Sequence, residues 1–103
     1  MCTYATYQCE VSGSGKSAVG WFSVTRATVY LDHPVHAFAE HTVNIDLAAP
    51  DHGPAARVAV ELHPDSVLDF LTTVARAVLD APADISGLGD TELKRLTQLV
   101  EGA

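Results

Sequence analysis

Between residues 42 and 47 the chain reads Thr-Val-Asn-Ile-Asp-Leu, an unbroken alternation of polar and apolar side chains. Successive side chains of a strand point to opposite faces. Val43, Ile45 and Leu47 therefore share one side, and Thr42, Asn44 and Asp46 the other. A period of two does not fit a helix; it commits the segment to a sheet with one apolar face. Three further segments supply its partners. Residues 3–11 (TYATYQCEV) have the β-branched and aromatic content of a strand, and 20–32 read as a long one, with Ala27, Val29 and Leu31 on one face. Residues 56–62 (ARVAVEL) make a fourth, with Ala56, Val58, Val60 and Leu62 inward. The SGSG at 12–15 predicts a hairpin turn, HPVH at 33–36 breaks the second strand because Pro34 has no N–H to donate, and AAPDHGPA at 48–55 is a loop. Connections this short favour antiparallel neighbours, hence a meander.

The period then changes. Pro64 suits the first position of a helix and Asp65 its first turn, where the positive end of the helix dipole favours an acid. From there to about Ala81, Val67, Leu68, Leu71, Val74, Ala75, Val78 and Leu79 form an apolar stripe. Residues 82–89 are a linker, and Asp90 opens a short helix carrying Leu93, Leu96, Leu99 and Val100 on one side. The expectation is an α+β fold in one domain over 1–103: a mainly antiparallel four-stranded sheet (1–62), a long helix (64–81) covering one of its faces, and a short terminal helix (90–101). If Leu71 lies in that interface, truncating it to alanine should cost roughly 2–5 kcal/mol.

Alanine accounts for 15 of the apolar residues, which makes a thin core and favours a homodimer. Six Lys+Arg against 13 Asp+Glu give a net charge of −7, which argues against binding duplex nucleic acid or an anionic membrane surface. The first residues carry no basic start, and no run approaches the roughly 20 apolar residues that span a bilayer, so a soluble cytoplasmic protein is expected. Cys2 and Cys9 lie seven apart, on opposite faces of an extended segment, a poor geometry for a mutual disulfide.

SGSGKS at 12–17 resembles a phosphate-binding loop, but Glu10 stands where the signature requires glycine and no strand-to-helix transition surrounds it. Trp21 and Phe22 read as core. The histidines are more informative. His33, His36 and His41 fall within nine positions, with Asp32 before the first and Glu40 beside the last. Imidazole is the commonest side-chain ligand for zinc and also serves copper and iron, and nearby carboxylates ligate or orient it. In a meander, the end of strand two, the start of strand three and the end of strand four share one end of the sheet. Cys2, His33, His36, His41 and His63 would gather there, with His52 and Cys9 toward the other end. By alternation, His33 continues the Val29–Leu31 row and His41 the Val43–Ile45 row, so both should point to the apolar side. The competing reading is that Asp-His-Pro and His-Pro-Asp are turn and cap sequences whose histidines do no chemistry. The spacing also echoes a cupin histidine–glutamate set, but the His-x-His pair is missing and the chain is too short for that barrel.

With MCTY at the start, SGSGK at 12–16, GWF at 20–22 and ATVYLDHPVHAFAEHTVNID at 27–46, the chain resembles a family of short, functionally uncharacterised actinobacterial proteins over residues 1–80. The resemblance supplies no chemistry. Three functions follow from the residues. The first is a small metal-dependent enzyme of isomerase, cyclase, lyase or oxygenase type acting on a small metabolite. His33, His36, His41 and Cys2 would hold zinc, iron or copper, with Glu40 as base and His63 flanking the site. The second is a non-catalytic homodimeric module that holds a metal or a small-molecule ligand. The third is an interaction domain that offers a strand edge to a partner.

Overall fold

The computed structural model describes residues 5–101. Among these lie four strands, β1 (Thr6–Ser17), β2 (Gly20–Asp32), β3 (Thr42–Ala48) and β4 (Arg57–Leu62), then three helices, α1 (Val67–Leu79), α2 (Ala83–Ser86) and α3 (Asp90–Glu101). The strands form one sheet in the order β1-β2-β3-β4, with every neighbouring pair antiparallel. The α+β meander expected from the period-two segments is the observed architecture. The chain divides into two units, one up to Pro64 and one from Asp65 onward.

In the first unit the main departure from expectation is at SGSG. These residues are not a turn: β1 continues through them to Ser17, and the chain reverses at Ala18 and Val19. Gly20 closes the reversal with φ +123, a conformation that side chains with a Cβ rarely adopt. The Ser17 hydroxyl donates to the Gly20 carbonyl (3.2 Å) and accepts from the Val19 N–H (3.3 Å). Gly15 is held to its small size by packing. A Cβ on Gly15 would lie 3.0 Å from Val24 Cγ2, 3.3 Å from Phe22 Cζ and 3.4 Å from Val58 Cγ2. A β-bulge between Glu10 and Gly13 bends the hairpin. Its distal half thereby meets Val58 of β4, a strand to which β1 is not hydrogen-bonded. The buried residues Val24, Ala27, Ala49 and Ala56 form the core of this unit. Phe22 is half-buried and Trp21 is 71% exposed, so neither aromatic is fully in the core.

In the second unit, the segment expected to be helical from Pro64 begins with a 3₁₀ turn at Pro64–Ser66 before α1. Ala75 is buried on α1, while Leu68, Leu71 and Val74 of the apolar stripe stay about half exposed. The linker holds one turn of helix, α2, in which the Pro82 carbonyl accepts from the N–H groups of Ile85 and Ser86. Asp90 lies inside the first turn of α3; the Glu92 carboxylate instead reaches back to the Gly89 N–H at 3.3 Å. Among the described residues no helix is long and apolar enough to cross a membrane.

Candidate functional site

Cross-strand register defines the polar face of the sheet. Tyr30, Asn44 and Glu61 stand in one row, Thr28, Asp46 and Ala59 in the next, and Arg26, Ala48 and Arg57 in a third. Alternation alone would leave this face to water, yet Thr42 is fully buried and Asn44 nearly so (0% and 6% exposed). The reason is the 33–41 segment, which folds back over the row. Its main chain is held by Glu61, whose Oε2 accepts the N–H of Val35 at 2.5 Å and whose Oε1 accepts those of His36 (3.0 Å) and Ala37 (2.9 Å). Beneath it the Thr42 hydroxyl donates to Asn44 Oδ1 at 2.7 Å, so the covered polar pair satisfies itself.

Three successive N–H groups on one carboxylate stabilise its ionised form. The Val35 N–H and then that of Ala37 hold Glu61 below the usual carboxylate range, against a smaller upward push from burial; the His36 N–H and charge add to the lowering. The segment is pinned elsewhere too. Asp32 Oδ1 accepts the His33 N–H at 2.7 Å, and His33 Nδ1 donates to the Glu40 carbonyl at 2.6 Å. The His33 and His41 rings stack, with centroids 4.8 Å apart and planes 24° from parallel. Between the pinned segment and the polar rows lies a cleft of about 500 Å³. Tyr30, Asn44, Asp46, Arg57 and Glu61 line it from the sheet, and His33 and His36 from the segment. Across it Arg57 donates through Nε (3.1 Å) and Nη2 (2.7 Å) to the same Asp46 oxygen, a diagonal cross-strand pair.

Several of the residues singled out from sequence gather here. His33, His36 and His41 all belong to the pinned segment, and His63 follows β4 at the same end of the sheet. The row assignment for His33 does not hold. β2 ends at Asp32, and His33 lines the cleft on the polar side with Tyr30 and Asn44, because alternation stops where the strand stops. Glu40 enters through its backbone carbonyl; its side chain and that of His63 are exposed and neither lines the cleft. Cys2 lies outside the described residues. Among the described residues no three histidine, cysteine, aspartate or glutamate groups come together in a way that could hold a metal ion. The lone pairs of an imidazole lie in the ring plane, so two stacked rings direct theirs side by side rather than at one point.

Sequence reasoning missed Glu61, Arg57 and Asn44. Their alternation marked a solvent face, and only the long-range contact from Glu61 to residues 35–37 turns that face into a site. The profile of a family of unknown function (DUF6295) matches residues 1–87. The chain belongs to this family. The match covers the sheet, the pinned segment and α1, and ends before α3. No curated protein and no solved structure matches the chain.

Proposed function

We propose that this member of the family is a small-molecule-binding module whose ligand sits in the cleft between the polar face of the sheet and the 33–41 segment. The observation that carries the reading is the clasp. A glycine-free nine-residue loop is fixed over the sheet by one carboxylate and three N–H groups, leaving a polar concavity of about 500 Å³, a volume within the usual range for small ligands. Pre-organised walls of this kind favour binding because little is left to order when a ligand arrives. The test is a screen of polar metabolites by ¹H–¹⁵N correlation spectra of the whole chain. Saturable shifts at Tyr30, Asn44 and Glu61, with α3 unmoved, are the expected result. Shifts confined to other surfaces, or none across the library, would overturn the reading.

One observation favours a second reading, a divalent transition metal held by the histidine cluster. The bond from His33 Nδ1 to the Glu40 carbonyl fixes ring tautomer and orientation, as bonds to metal-ligating histidines do. Ligation by both His33 and His41 would require one ring of the stack to turn. Elemental analysis of untagged protein after reconstitution with zinc, iron or copper tests it. Metal present in the wild type, lost in His41→Ala and kept in His52→Ala would support it; equal content in all three would remove it. Turnover that depends on Glu40 while the metal is retained would make this module an enzyme.

A further inference from the structure

We infer that the ligand of this cleft carries an anionic acceptor group, a carboxylate or a phosphate, received by Arg57 with Asn44 and Tyr30; this rests on the small-molecule reading above. Both carboxylates that line the cleft are already engaged by internal donors: Glu61 by three backbone N–H groups, Asp46 by the Arg57 fork. Beside the second Asp46 oxygen, the walls still offer several donors. Asn44 accepts through its carbonyl oxygen from Thr42, which turns its NH₂ to the role of donor. Tyr30 adds a hydroxyl, and Arg57 has five N–H donors, of which Asp46 takes two.

The vertical order of the charges points the same way. The Arg57 side chain is 52% exposed and that of Asp46 19%, so the guanidinium stands at the mouth with its counter-charge beneath it. A ligand entering from solvent meets the cation first. The fork uses the Nε–Nη2 edge of the guanidinium, which leaves the Nη1–Nη2 edge for a second acceptor. Glu61, on the sheet wall, has its oxygens directed by their own hydrogen bonds to the main chain of 35–37.

Succinate, inorganic phosphate and the diamine putrescine, titrated separately into the full chain and followed by ¹H–¹⁵N spectra, test the inference and separate the two anion sources. Succinate or phosphate should produce saturable shifts at Tyr30, Asn44 and Arg57, and putrescine should not. Arg57→Gln should weaken that binding about tenfold, the worth of one charge-assisted bond, with Arg76→Gln on α1 leaving it unchanged. Asp46→Asn should tighten it, because the fork is released to the ligand, and this opposite sign does not depend on how Arg57→Gln folds. Cleft shifts from putrescine alone, no cleft shift from either anion, or weaker anion binding in Asp46→Asn would each overturn the inference. The small-molecule reading would survive all three if another metabolite class moved the same resonances.

Discussion

Glu61 shows how much one side chain decides. Its carboxylate is the acceptor for three consecutive backbone donors of the 33–41 segment, which would otherwise need water or one another. The pKa direction sets the pH dependence. A carboxyl held lower in the folded protein than in the unfolded chain binds its proton less readily when folded. The clasp is therefore fully present above the usual carboxylate range and is lost as pH falls through the depressed folded value. The protection of the Val35, His36 and Ala37 amides, relative to their intrinsic exchange, should fall over that acidic window while the β2–β3 amides stay protected. Glu61→Gln should expose the same three amides at neutral pH, since a neutral amide oxygen is a weaker acceptor and its NH₂ cannot accept at all. Unchanged exchange in the variant would show that the segment is held by other contacts. The Asp46–Arg57 pair, by contrast, is half solvated at the guanidinium and worth at most about 1 kcal/mol to stability, so its interest lies in what it presents rather than in what it holds.

At the scale of elements, the β1–β2 hairpin and α1 carry the two energetic statements. The hairpin bends at its bulge and packs Gly15 against Val24, Phe22 and Val58. A methyl group 3.0 Å from Val24 Cγ2 is tighter than ordinary contact, so Gly15→Ala should destabilise the protein by about 1–3 kcal/mol through overpacking in chemical denaturation. Equal midpoints for the two proteins would mean that the hairpin does not pack on Val58 in solution. On α1, Leu71 is 48% exposed, which lowers the expectation set by full burial. Leu71→Ala should cost about 1–2 kcal/mol, against roughly 2–5 for a leucine wholly inside a core.

At the scale of the whole molecule, the fully buried apolar core is small. The buried apolar side chains are one valine and four alanines among the described residues, while Leu68, Phe70, Leu71 and Val74 of α1 are each about half exposed. A 103-residue chain with so thin a core would gain from burying that stripe against a second copy. We therefore expect light scattering at micromolar concentration to return about twice the chain mass of 10.9 kDa. A monomeric mass would assign the stripe to some other occupant.

The sequence by itself determined the local, periodic part of this protein. The alternation of 42–47, the breaks at Pro34 and at 48–55, and the change of period after Pro64 were enough to give four antiparallel strands and the two longer helices, because side-chain period and proline chemistry are properties of neighbouring residues. The gathering of His33, His36, His41 and His63 at one sheet end followed from connectivity alone. Which face became the site did not. A serine-glycine run that reads as a turn is a strand, and Val58, more than forty residues away, packs against its Gly15. A polar row that reads as solvated is buried at Thr42 and Asn44 because Glu61 pins a loop 24 to 26 residues distant in sequence. Alternation states which side chains share a face; only tertiary contact states what lies over that face, and here it is the chain's own backbone, drawn down by one carboxylate.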